Sequence, residues 1–288
     1  MARSAQLALL LEVSAYPKPG NVDRTHDYIN TRYEHFLASS VAVYPILREA
    51  AARGSRNERG VGELISRGVE ESIAWQRGGN THFGALLLLV PLAMAAGACE
   101  RYDMEEIKRK ATEIVQNTSI ADALEVYTIF PKAKVKVRRD VAELDVMDEA
   151  SINEIREKKL SLYAILTISA SYDMISRELV GGFEKTFEYA ALINDFAREE
   201  RININDAITH AYLRLLADEE DTFITMKFGP RKSKYVQQKA QWIVTRGYKR
   251  KEIEEFDEEL IREGLNPGST ADIIAAALFI SILSGLRV

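Results

Sequence analysis

The chain has 288 residues, 47% hydrophobic and 28% charged, which is enough apolar side chain for a sizeable core and excludes the low-hydrophobicity signature of disorder. Lys and Arg total 38 against 43 Asp and Glu, and the net charge of −5 excludes a whole-surface attraction to nucleic acid or anionic lipid, so an anionic ligand needs a local site. The single cysteine, Cys99, excludes an internal disulfide, and its apolar setting reads as a buried thiol.

The opening segment MARSAQLALLLEVSAYPKPG pairs an early arginine with an apolar run, but Glu12 follows that run directly and no small-residue cleavage pattern precedes a mature start. It predicts an amphipathic first helix and no targeting signal. Next comes Pro17-Lys18-Pro19-Gly20-Asn21-Val22-Asp23-Arg24. Two prolines exclude a helix and Gly20 permits a tight turn, so Lys18, Asp23 and Arg24 are displayed on a stiff loop. Apolar residues at three and four spacing predict helices over Tyr33–Arg53 and Val61–Gln76.

GGNTHFG, residues 78–84, then puts three glycines, an amide, a hydroxyl and an imidazole into seven positions. Asn80 or Thr81 can cap the following helix, Phe83–Ala98, but capping accounts for neither His82 nor the missing bulk at Gly84. A helix start with small residues and free N–H groups is also a ready anion site. Helices follow over Met104–Gln116 and Ser119–Tyr127, with Asn117-Thr118-Ser119 as their junction. Tyr127–Met147 instead alternates apolar residues with Lys132, Lys134, Lys136, Arg138 and Arg139, and this period of two predicts a short extended or hairpin arm near 130–146.

Helical spacing returns over Leu160–Leu179, Phe183–Arg198, Asp206–Ala217, Lys232–Thr245, Lys251–Glu263 and Ala271–Leu286. Between them lie two polar islands. Asp218 to Asp221 precede Thr222, Thr225, Lys227, Gly229 and Arg231, which gathers carboxylate, hydroxyl and cation in one short segment, as magnesium–phosphate sites do. Asn266-Pro267-Gly268-Ser269-Thr270-Ala271-Asp272 leads into the last apolar helix, with Ser269 or Thr270 as its N-cap. Asp272 opens a segment that is apolar on all sides, so its carboxylate points into a cavity or toward a cation. Phe83–Cys99 and Ile273–Leu286 both fall short of the about 20 apolar residues of a spanning helix and read as core helices. The whole predicts one all-α, bundle-like domain over 1–288, with central apolar helices.

Taken in order, Glu12 with PKPGNVD (17–23), FLAS (36–39), GGNTHFG (78–84), YDMISRE (172–178), Asp221-Thr222 with KFG, and NPGSTAD (266–272) resemble the triphosphoribosyl-dephospho-CoA synthase family over nearly the whole chain. The resemblance implies that ATP reacts at its ribose anomeric carbon, adenine leaves, and the 2′-hydroxyl of dephospho-CoA takes its place. It further implies Lys18 and Arg24 on phosphate, and Asn80, Thr81, Thr222, Ser269 and Thr270 on the nucleotide. Asp221 and Asp272 are implied for Mg2+ carried as the ATP complex, Asp23 or Glu12 as base, and His82 as an aid to adenine departure. Phe83 stands where the family pattern has a lysine, Tyr172 where it has an arginine, and IFPKAKVKVRRD (129–140) where it has a glycine-rich stretch. Two other readings use the same islands: a magnesium-dependent nucleotide or ADP-ribosyl hydrolase, and a non-catalytic nucleotide-binding protein. An ATP-class ligand without a targeting signal points to the cytoplasm, and many apolar helices are compatible with a homodimer.

Overall fold

The computed structural model describes residues 1–133, 149–199 and 202–288. In chain order the helices are α1 (Ala2–Ser14), α2 (Tyr33–Ala42), α3 (Tyr44–Ser55), α4 (Val61–Ala74), α5 (Phe83–Gly97), α6 (Met104–Gln116), α7 (Ile120–Ala133) and α8 (Glu149–Lys158). They continue with α9 (Leu162–Ser169), α10 (Met174–Val180), α11 (Glu184–Arg198), α12 (Ile204–Asp218), α13 (Thr222–Phe228), α14 (Pro230–Thr245), α15 (Arg250–Glu263) and α16 (Gly268–Leu283). Among the described residues the only β pairing is one isolated bridge, Tyr28 to Thr31. The chain is all-α, as its periodicity predicts.

Two helices organise the rest because they are apolar on every side. Each residue of α5 from Ala85 to Ala96 is buried, and so is each residue of α16 from Ile273 to Leu283. A helix with no polar face has to be covered all round. Accordingly α5 packs on α3, α4, α6 and α16, while α16 packs on α1, α11 and α12 as well as α5. The outer helices have the complementary pattern. α6, for example, buries only Ile107, Ala111 and Val115, four residues apart, and turns its charges to water. No helix among the described residues is long and apolar enough to cross a membrane.

Several boundaries differ from the periodicity reading, each for a local reason. Tyr33–Arg53 is broken at Val43, where α3 starts afresh with a proline in its first turn. Leu160–Leu179 is interrupted at residues 170–173, and Asp173 caps the new helix α10 by accepting from the Ser176 amide at 2.7 Å. The island after Asp221 is itself helical, as α13. The extended arm is corrected over 130–133, which is the end of α7. Ala123, Val126, Tyr127 and Phe130 share one helical face, and covering that face outweighs the alternation that begins after it. The rest of that arm, 134–146, lies outside the described residues. Cys99 is half-buried, with its thiol donating to the Ala95 carbonyl at 3.3 Å.

Candidate active site

A cleft of about 1140 Å³ opens where α5 and α16 begin, with the shorter helices α10 and α13 starting on its wall. A helix start carries roughly half a positive charge, so α5 and α16 both turn the electropositive end of a dipole to the cleft. The cleft takes in all seven residues of GGNTHFG. In a smaller cleft of about 390 Å³ beside α6, Asp122 accepts from the Gly62 and Ser119 amides, and Lys110 donates to the Ala98 carbonyl.

Asp272, one turn into α16, reaches across to the start of α5, where the Ala85 amide donates to its carboxylate. Gly84 is what makes this possible. A Cβ at that position would lie 2.1 Å from Asp272 Oδ2 and 2.8 Å from Cγ, so any larger residue would occupy the carboxylate's place. Burial, then the nearby charges of Glu12, Asp221 and Asp173, hold the Asp272 carboxyl well above the usual carboxylate range. Gly78 has a plainer reason: a Cβ there would lie 2.2 Å from His35 Nδ1, the atom that caps the start of α2 by accepting from the Arg32 amide.

Lys18 is wholly buried and donates to both the carboxylate and the backbone carbonyl of Glu12. It does not line the cleft, so its expected phosphate contact gives way to an ion pair that supports Glu12 from behind. Glu12 does line the cleft, and burial raises its carboxyl above the usual range against the opposing pull of Lys18. Asp23 stands back from the cleft. Its Oδ1 accepts from the Thr25 amide and hydroxyl and from the His26 amide, at 2.7–2.9 Å. Arg24 is exposed and also off the cleft.

His82 packs edge-on against Phe36, and its Nδ1 lies 2.6 Å from Ser39 Oγ. The hydrogen-bonded chain continues from Ser39 to Ser72 at 2.6 Å and on to Thr81 at 3.1 Å, which is where the Thr81 hydroxyl goes. Burial pulls the His82 ring down to about 3, so it is neutral at working pH, and its buried Nε2 has no protein partner. A neutral ring still offers one hydrogen bond at Nε2, as donor or acceptor according to its tautomer. Of the two candidates Asn80 meets the first amide of α5, accepting from Phe83 at 2.9 Å, although the N-cap position itself is His82.

Neither Ser269 nor Thr270 caps α16. The helix starts at Gly268, and its cap comes from elsewhere in the chain: Asp221 Oδ2 accepts from both the Thr270 amide and hydroxyl at 2.8 Å, while Oδ1 accepts from Phe223 and Ile224 at the start of α13. With four donors on two oxygens and 1% exposure, Asp221 ties two helix starts together and has no lone pair directed at the cleft, contrary to its expected metal role. Thr270 goes with it. Thr222 and Ser269 line the cleft, 3.2 Å apart through their hydroxyls.

Sequence reasoning placed Lys227 in a magnesium–phosphate-like segment and Asp173 in a motif without giving either a role of its own, and both line the cleft. Asp173 was hidden by reading Leu160–Leu179 as one helix; an aspartate followed three residues later by a serine was the available cap signal. The Lys227 ammonium lies 3.7 Å from the centre of the Phe223 ring. The cleft also has an apolar lining of Leu87, Val126, Phe130, Leu162 and Ile165.

A model of the CitG family, described as ATP:dephospho-CoA triphosphoribosyl transferase, matches residues 1–287. The chain is 26% identical to the 2-(5''-triphosphoribosyl)-3'-dephosphocoenzyme-A synthase of Escherichia fergusonii, over 98% of this chain and 90% of that one. It is also 26% identical to the Klebsiella pneumoniae protein of the same name, over 96% and 89%. The crystal structure of an Archaeoglobus fulgidus protein assigned as a triphosphoribosyl-dephospho-coA synthase superposes with a TM-score of 0.72 at 30% identity, covering 89% of this chain and all of that one.

Proposed function

We propose that this chain, which belongs to the CitG family of ATP:dephospho-CoA triphosphoribosyl transferases, carries out that transfer in the cleft at the start of α5 and α16. The enzyme moves the 5-triphosphoribosyl group of ATP to dephospho-CoA. The bond from the ribose anomeric carbon to adenine breaks, a bond from that carbon to the acceptor's 2′-oxygen forms, the hydroxyl proton passes to a base, and adenine leaves with a proton. The observation that carries the assignment to this cleft is its charge: Glu12, Asp173 and Asp272 line it, Asp221 lies against it, and Lys18 supports it from behind. Negative groups around an anomeric carbon stabilise the oxocarbenium character of its transition state.

Glu12 is the base for the acceptor hydroxyl, because burial raises its carboxyl toward the pH at which a base both holds and takes a proton effectively. Asp23 is displaced from that role by its distance from the cleft. Asp272 and Asp173 fit a magnesium ion delivered with the triphosphate, since both are acidic, both line the cleft, and burial raises the carboxyl of each. When bound, the ion neutralises phosphate charge. Lys227 and the N-termini of α5 and α16 face the triphosphate, while Asn80, Thr222, Ser269 and neutral His82 orient the nucleoside through hydrogen bonds. The apolar lining excludes water from the anomeric carbon.

The deciding experiment incubates purified protein with ATP and magnesium, with and without dephospho-CoA, and measures free adenine by chromatography. Adenine formed only with the acceptor is the expected result. Adenine formed without it would make water the acceptor and the protein a hydrolase, and no adenine despite an ATP-dependent rise in Tm would leave a binding protein.

Gly84→Ala tests the geometry. The added methyl displaces the Asp272 carboxylate by roughly an ångström, and a shift of that size costs about 10²-fold in rate. Steady-state kinetics should therefore show kcat falling about a hundredfold with an unchanged circular dichroism spectrum. A rate within twofold of the parent would separate Asp272 from the reaction.

A further inference from the structure

Behind the cleft wall, the loop of residues 17–26 meets α15, and three side chains converge there: Asp23, His26 and Asp257, each with one ligand-type atom within 4.8 Å of the other two. None of the three lines the cleft. His26 Nδ1 lies 2.9 Å from Asp257 Oδ2 and 3.9 Å from Asp23 Oδ1. Asp257 Oδ1 accepts from the Gly20 amide at 3.0 Å. Both carboxylates are completely buried, so two like charges lie side by side with one imidazole between them. Asp23 Oδ2 is a second and independent sign of a missing partner: it is buried, it belongs to a carboxylate with 0% exposure, and it accepts no hydrogen bond. Buried carboxylate oxygens in proteins are almost always paired or bound to a cation.

We propose that Asp23, His26 and Asp257 form a second cation site, distinct from the magnesium carried in with ATP, that takes a divalent transition ion such as Zn2+ or Mn2+. The donor set decides the class of ion. Two carboxylates with one imidazole suit Zn2+ or Mn2+, whereas Mg2+ prefers oxygen ligands and water. Ligand distances of about 2.0–2.2 Å separate donors on one ion by roughly 3–4 Å, and the span of the three atoms here is close to that. His26 is 26% exposed, which leaves its ring free to adjust and the ion a coordination position facing solvent. The ion clamps the loop to α15. Through that loop it also steadies the cleft, because Tyr28 lines the cleft and donates to the Gly20 carbonyl at 2.7 Å.

The test measures metal bound to the full chain purified without chelator, by elemental analysis, and titrates the chelator-treated chain with Mn2+ while following free Mn2+ by electron paramagnetic resonance. About one equivalent of Zn2+ or Mn2+ per chain is expected. His26→Ala should weaken Mn2+ binding by at least about tenfold, because even an outer partner of a metal ligand is worth that much, whereas Asp272→Asn should leave it unchanged. His26→Asp puts a carboxylate in place of the imidazole and should restore Mn2+ binding more than Zn2+ binding. Each variant is checked for a parental circular dichroism spectrum. The absence of stoichiometric metal and of saturable Mn2+ binding would overturn the proposal. Binding that His26→Ala leaves intact, or that only Asp272→Asn abolishes, would overturn it equally, and either result leaves the transferase reading untouched.

Discussion

Asp272→Asn is expected to lower kcat/KM for acceptor-dependent adenine release by about 10³-fold while raising Tm, a pairing that only a functional buried charge produces. The loss of rate follows from removing a preorganised charge beside the reacting carbon and the magnesium–triphosphate, which is worth about 10²–10³-fold for one group in such sites. The gain in stability follows from the cause of its pKa shift. Burial first, and then the like charges of Glu12, Asp221 and Asp173, raise the Asp272 carboxyl well above its ordinary 3.8. A carboxyl raised in the folded state has its favourable contribution at low pH. As pH climbs through 3.8 the unfolded chain releases its proton first, and folded stability declines until the pH passes the raised value. Asparagine cannot ionise, so the variant escapes this loss. Relief of about 1 kcal/mol would raise Tm by roughly 2–4 °C in a chain of about this size. Melting curves without ATP or magnesium should therefore coincide near pH 4 and separate in favour of the variant toward pH 8. A variant that melts lower than its parent at pH 8 would show that Asp272 holds the fold together; one that turns over at the parental rate would show that it takes no part in the chemistry.

The largest stability loss is expected from Lys18→Met. Lys18 and Glu12 form a buried ion pair, and taking away one partner of such a pair costs about 3–5 kcal/mol because the other is left charged in a medium that cannot solvate it. Removing both charges is far milder. Glu12→Gln/Lys18→Met should recover most of the lost stability, as measured by urea denaturation, and remain inactive because the proposed base is gone. The cycle also discriminates between the two positions open to Lys18. A lysine on the triphosphate would raise KM for ATP with little change in stability, and Glu12→Gln would not compensate for its loss. A buried partner of Glu12 gives the reverse pattern in both respects.

The fold class lay open in the sequence because it depends on periodicity, which is local. Spacing at three and four gave the helices, and the two stretches that are apolar all round, beginning at Phe83 and Ala271, proved to be the central pair. The resemblance in ordered motifs gave the family, and the family model covers the same span. Where periodicity ran two helices together, a single residue was responsible: the proline at the start of α3, or Asp173 ending the break before α10.

The site was legible in part. Glu12, Asn80, Thr81, His82, Thr222, Ser269 and Asp272 all face the cleft. Lys18, Asp23, Arg24, Asp221 and Thr270 come from the same motifs and do not. No motif separates these two groups, since a short polar stretch shows which groups are available and not which way they turn. Asp221 and Asp272 make the contrast sharply. Each is an aspartate at a helix start, yet Asp221 meets four donors and becomes a clamp between α13 and α16, while Asp272 meets other acids and the bare backbone of Gly84.

Chain-local chemistry therefore determined the helices, the apolar core and the set of polar residues that could do the work. Packing alone decided which carboxylates keep free oxygens, which are neutralised by a buried lysine, and which are held at a raised pKa. The physical reason is that a helix forms from residues three and four apart, whereas the charge on a buried carboxylate is set by whatever the rest of the chain brings within a few ångströms of it.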